Sequence, residues 1–135
     1  MNSLSMSIHD AEVVGLHSDR EAETLTFDLV LEDKRVLLLE FTGALHWDLG
    51  RYEIQNVLYG IDEWRGDNES TLQACAELGL GAFWAEKIKA GEFSVFEINP
   101  AVGLGGYVIA RTMEVRIASV PPRDPSQGHA RVQPE

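Results

Sequence analysis

Residues 24–32 read Thr-Leu-Thr-Phe-Asp-Leu-Val-Leu-Glu, and this stretch decides the fold. Every second residue from Leu25 to Leu31 is apolar, and most residues between them are polar. Successive side chains of a strand point to opposite faces, so a period of two predicts a β-strand with one buried face. After a short polar break, residues 35–42 continue with apolar side chains on both faces. The two runs predict a β-hairpin whose second strand is central in a sheet.

Four more strands are predicted around this hairpin, the first of which completes a three-stranded meander. Their ranges are 10–17, 55–64, 92–99 and 107–117. In the last of them we expect Met113, Val115 and Ile117 to face the core. Turn-forming Gly and Asp residues within 43–52 predict an irregular connection there.

A helical insertion is predicted between the fourth and fifth strands. Asp67 and Asn68 offer capping oxygens before residues 69–78, whose apolar side chains fall on one helical stripe. Glycines interrupt the helix, and a second short helical stretch closes at Gly91. The predicted fold class is α+β: a mainly antiparallel β-roll or open barrel of about six strands with one helical insertion.

The length of 135 residues suits one domain, because a second core would bury too little surface. We assign residues 1–120 to this domain. Residues 121–135 contain four of the five prolines and no apolar periodicity, which predicts a flexible tail.

The formal net charge of −11 is the most unusual feature of the amino-acid composition. Residues 1–33 hold eight carboxylates against Arg20, and residues 62–86 hold six against Arg65. A field of this sign repels phosphate backbones and anionic lipid, so we expect neither a nucleic-acid nor a membrane partner. The negative charge has two interpretations. It could bind a basic protein partner, or it could simply form an acidic surface that maintains solubility.

The sequence has no apolar run of membrane-spanning length and no leader pattern at its start, and Cys75 is its single cysteine. These features predict a cytoplasmic protein. Cys75 is expected to be a buried, inert thiol on the helical stripe.

The chain lacks the residue spacings of metal sites. The run Gly103-Leu104-Gly105-Gly106 has no nearby Lys, so it predicts a turn between strands rather than a phosphate-binding loop. We therefore expect no metal and no cofactor, and favour a protein that is not an enzyme.

Four short motifs resemble small, acidic, uncharacterised bacterial domains. They are His9-Asp10-Ala11, Glu40-Phe41-Thr42-Gly43, Gln55-Asn56-Val57 and Phe96-Glu97-Ile98-Asn99-Pro100. Some similar single-domain proteins act as immunity proteins of interbacterial toxins. The resemblance implies a binding protein and assigns no functional residues.

The leading hypothesis is a non-catalytic acidic binding protein, in its specific form an immunity protein that neutralises a cationic toxin or enzyme. Its candidate binding residues are Asp19, Glu21, Glu23, Asp62, Glu63, Asp67 and Glu69. One alternative is a small-ligand-binding or enzymatic β-roll with an aromatic pocket. The residues of that pocket would be His46, Trp47, Tyr52 and Tyr59. Another alternative is a structural subunit, a homodimer for example, that assembles through an exposed strand edge.

Overall fold

The computed structural model describes residues 8–118, and it contains eight strands and two helices in that range. The strands before the helices are β1 (Glu12–Asp19), β2 (Thr24–Val30), β3 (Val36–Thr42), β4 (His46–Gly50) and β5 (Val57–Trp64). The helices are α1 (Glu69–Glu77) and α2 (Ala82–Lys89), and the remaining strands are β6 (Ser94–Val102), β7 (Gly105–Ala110) and β8 (Thr112–Ile117). The predicted tail at 121–135 lies outside the described residues. No helix in the described part is long and apolar enough to cross a membrane.

All eight strands belong to one antiparallel sheet with the order β4-β7-β6-β5-β1-β2-β3-β8. The α+β class is confirmed, but the predicted count of about six strands is wrong. Residues 46–50 form β4 where an irregular connection was expected, and the run at 107–117 is two strands broken at Arg111. The sheet is open, with β4 at one edge and β8 at the other.

The predicted hairpin is present as β2 and β3, which pair in continuous register from Thr24–Thr42 to Val30–Val36. β1 pairs with the other side of β2, so the predicted meander is confirmed. The alternating apolar side chains of β2 are buried, as the period of two requires.

The sheet curls strongly on itself. β7 and β8 lie near opposite ends of the strand order, yet Arg111 alone joins them. Neighbouring strands are about 4.8 Å apart, so one residue could not connect these strands across a flat sheet. The Arg111 N–H donates to the Thr42 carbonyl at 2.9 Å and fixes this return. The concave side encloses the core, in which Phe41 packs edge-on between Phe27 and Phe96.

The predicted helical insertion follows β5 and comprises two helices, α1 and α2, which match the predicted helix and the second helical stretch. The Asn68 side chain caps α1 by accepting a hydrogen bond from the Thr71 N–H at 2.8 Å. Ile88 of α2 is fully buried in a second apolar cluster that contains Cys75 and Phe93. Burial raises the pKa of the Cys75 thiol, so this group is held in its protonated form against the sheet.

Candidate functional site

Three of the predicted binding carboxylates are exposed at the junction of β1 and β2: Asp19 ends β1, and Glu21 and Glu23 lie in the turn that follows. Asp19 Oδ1 accepts hydrogen bonds from the N–H groups of Glu21 and Ala22, both at 3.1 Å. Such a side-chain cap shapes the turn. The carboxylates of Glu21 and Glu23 are left to face solvent.

The other four carboxylates lie where β5 leads into α1, and all four are exposed. Asp62 accepts a hydrogen bond from the Asn99 side-chain amide at 2.9 Å. Glu63 accepts one from the Ser94 hydroxyl at 2.6 Å. Asp67 and Glu69 flank the cap of α1, where the partial positive charge of the helix start favours acidic side chains.

Arg65 lies among these carboxylates but donates to neutral acceptors. Its Nε donates to the Gly91 carbonyl at 3.0 Å, and its Nη1 donates to Ser94 Oγ at 3.2 Å and to the Arg111 carbonyl at 3.1 Å. This guanidinium therefore ties the helical insertion to the sheet. In the part of the chain that the structure describes, none of the seven candidate carboxylates forms an ion pair.

A chain of hydrogen bonds connects the two carboxylate groups across the curl of the sheet. The Ala44 N–H donates to the Glu23 carbonyl at 2.8 Å, and two residues earlier the Thr42 carbonyl accepts from Arg111. The Arg111 carbonyl in turn accepts from Arg65. These contacts link the β1–β2 turn to the end of β5. We call these two connected groups of carboxylates the carboxylate end; its residues are Asp19, Glu21, Glu23, Asp62, Glu63, Asp67 and Glu69.

A cleft of about 320 Å³ opens beside the β1–β2 turn, and we call it the Trp47 cleft. One wall is the β1–β2 turn, and the other is formed by Leu45, just before β4, and by Trp47 of β4, which are 44% and 37% exposed. Its lining residues are Ser18, Asp19, Arg20, Glu23, Thr24, Ala44, Leu45 and Trp47. The cleft therefore combines apolar and aromatic surface with two carboxylates and one guanidinium.

A second cleft of about 260 Å³ adjoins the first and shares Ser18 and Trp47 with it. Its other lining residues include His17, whose Nε2 lies 2.7 Å from Asp28 Oδ2. The Trp47 ring thus stands between two neighbouring depressions. Sequence reasoning missed Leu45, Ser18 and Arg20 because their roles depend on β4, a strand it did not predict.

The four residues of the alternative aromatic pocket do not meet in one cavity. Trp47 lines the clefts described above, whereas its neighbour His46 points to the other face and stacks on Trp84 with ring centroids 5.6 Å apart. Tyr52 is half-exposed in the β4–β5 connection. Tyr59, on β5, contacts the ring of His9, with ring centroids 5.1 Å apart. The geometry therefore offers no shared aromatic pocket built from these side chains.

His46 also contacts Tyr107, whose hydroxyl lies 3.3 Å from His46 Nε2. Burial raises the pKa of Tyr107, and the negative charge of Asp48 raises it further. The phenol is therefore protonated at neutral pH and available to donate to the imidazole. This arrangement joins β4 and β7 to the aromatic surface of α2.

Compared with known proteins, the chain matches no family model, and no curated protein matches it. What the site can do therefore follows from its own residues.

Proposed function

We propose that the chain is a non-catalytic acidic binding protein that takes a basic protein partner at the carboxylate end. One observation carries the proposal: seven exposed carboxylates form no ion pair within residues 8–118, and they lie in two groups that hydrogen bonds connect. Opposed charge speeds association and selects among partners. A partner that presents Lys and Arg would neutralise negative charge that Arg20 and Arg65 offset only in part.

The Trp47 cleft supports the same proposal by adding a place for one anchoring side chain. A Lys or Arg side chain of the partner can lay its alkyl stem against Leu45 and its charge over the Trp47 ring. Asp19 and Glu23 then lie on the opposite wall of the cleft to receive the cationic group. Interfaces commonly draw most of their binding free energy from such an aromatic anchor.

The resemblance to immunity-type domains supports a more specific form of this proposal. In that form the partner is a cationic toxin or enzyme, and the carboxylate end covers a basic surface of it. An inhibitor of this kind requires no catalytic group of its own, only a complementary surface with slow dissociation.

The binding test uses short random peptides displayed on phage and selected on the purified full-length chain. We expect the selected peptides to be enriched in Lys and Arg next to an apolar residue. Glu21→Gln with Glu23→Gln should weaken their binding about threefold to tenfold, because exposed charge pairs contribute about 0.2–1 kcal/mol each. Trp47→Ala should weaken binding about tenfold through the loss of the aromatic anchor. Isothermal titration with the selected peptides measures these changes.

The matched control is Glu32→Gln with Glu53→Gln, which removes the same charge from two exposed positions outside the carboxylate end. This control should change the dissociation constant less than twofold at about 0.15 M salt, where long-range effects are largely screened. If both double substitutions weakened binding equally, the weakening would reflect net charge alone, and the proposed site would be wrong. Selected peptides without an excess of Lys and Arg would overturn the proposed partner chemistry.

A further inference from the structure

The outer edge of β8 carries backbone groups that point away from the sheet. The Ala118 N–H donates to the Val36 carbonyl at 3.0 Å, in line with the antiparallel register of β3 and β8. In such a pair, alternate residues direct both N–H and C=O toward the partner strand, and the residues between them direct theirs away. The N–H and C=O groups of Met113, Val115 and Ile117 therefore point outward from the edge. No strand within residues 8–118 pairs with them.

The same three residues carry the apolar side chains of β8 on the core-facing side of the sheet. Met113 and Val115 are half-buried against the core, but Ile117 is 70% exposed. The expectation that Ile117 would be covered by the core is therefore wrong, because β8 is the last strand of the sheet. An apolar side chain at an uncovered edge gains burial when another strand is added.

Charge on the opposite face of β8 is uneven. Glu114 stands directly across from Glu40 of β3 in the register, which places two like charges side by side. Arg116 forms an ion pair with Glu40, with Nη2 and Oε1 2.9 Å apart. Glu114 has no ion pair among the described residues. A cation placed beyond the edge of β8 would offset this repulsion.

We propose that two copies of the chain pair through β8 in a two-fold antiparallel ribbon centred on Val115. A two-fold axis normal to the sheet keeps the core-facing sides of both copies on one side of the ribbon. Residues that pair across the axis must therefore have side chains on the same face, so the register is centred on a residue and not between two residues. Centring on Glu114 or on Arg116 would place identical charges directly opposite each other. Centring on Val115 places Glu114 opposite Arg116 of the partner subunit.

The Val115 register also suits the backbone and the apolar face. Val115 would pair with its own copy, and Met113 would lie opposite Ile117 of the partner subunit, which covers that exposed side chain. About six backbone hydrogen bonds would form between the outward-pointing groups. Glu114 would lie in a non-hydrogen-bonded pair, where side chains approach most closely. Because one strand pair buries little area, we expect a dissociation constant of about micromolar order. The proposal is independent of the binding function proposed for the carboxylate end.

The test is sedimentation equilibrium of the full-length chain up to about 100 µM, a concentration at which an association of this strength is evident. We expect Glu114→Arg, and separately Arg116→Glu, to raise the dissociation constant about tenfold or more, since each places like charges opposite one another in the ribbon. The double variant E114R/R116E should restore the wild-type dimer. An equimolar mixture of the two single variants should form a heterodimer, because each then faces opposite charges on its partner.

The control is Glu86→Arg, which makes the same charge change on the exposed surface of α2 and should leave association unchanged. Thermal unfolding of Glu114→Arg separates loss of pairing from loss of fold. This variant should be no less stable than the wild-type monomer, because it removes the like-charge pair with Glu40. A wild-type chain that is monomeric at all concentrations would overturn the proposal. So would a dimer that Glu114→Arg and Arg116→Glu leave intact, or a failure of the mixture to associate.

Discussion

Phe41→Ala is expected to lower the free energy of unfolding by about 3–5 kcal/mol, a large fraction of the about 5–15 kcal/mol of a typical domain. Phe41 is fully buried on β3, and its ring packs edge-on against Phe27 and Phe96 with centroids 5.3 Å apart in each pair. Phe27 and Phe41 lie on paired strands, whereas Phe96 comes from β6, which meets them only because the sheet curls. Removing the central ring leaves a cavity that joins both halves of the core. Equilibrium denaturation with urea measures the change.

Phe83→Ala is the matched control, since Phe83 lies on α2 and is 63% exposed. It should cost less than about 1 kcal/mol, because most of its apolar surface is already in contact with water. If the two variants were equally stable, Phe41 would not occupy the centre of the core. The enclosure of the core by a curled sheet would then be contradicted.

Gly106→Ala is expected to cost about 2–4 kcal/mol and to loosen β4 from β7. Gly106 has a φ of 134°, a conformation that L side chains rarely adopt. A Cβ atom at this position would collide with the carbonyl oxygen of Asp48 on β4. Since β4 carries Trp47, the same variant should also weaken binding of basic peptides at the Trp47 cleft. Urea denaturation and peptide titration together measure both effects.

Gly60→Ala provides the control for this substitution. Gly60 lies in β5 without a positive φ, and an added Cβ would meet no atom within 4 Å. Its free energy of unfolding should stay within about 1 kcal/mol of the wild type. If Gly106→Ala behaved like Gly60→Ala, the close approach of β4 to β7 at Gly106 would be wrong.

The strands with strong local alternation could be predicted from the sequence, and the weaker ones could not. Residues 24–32 encode one buried face in their own pattern. β4 has five residues, and its pairing with β7 joins positions about sixty residues apart, which no local pattern reveals. The break at Arg111 likewise depends on a hydrogen bond to Thr42 on another strand.

The candidate site shows the same division between local and long-range information. The sequence indicated both acidic groups, but the connection between them depends on the curl that links Glu23, through Ala44 and Arg111, to Arg65. The expectation of an aromatic pocket failed for a local reason. Adjacent residues of a strand point to opposite faces, so His46 and Trp47 could not line one pocket once β4 formed.

Binding at the carboxylate end is tested most directly by amide chemical shifts recorded while a selected Lys- and Arg-containing peptide is added to the full-length chain. The expected result is a set of shift changes concentrated at residues 18–24, 44–49 and 62–69, with residues 31–35 and 53–57 unaffected. Shift changes centred on residues 31–35 and 53–57, or spread evenly over the acidic surface, would contradict it.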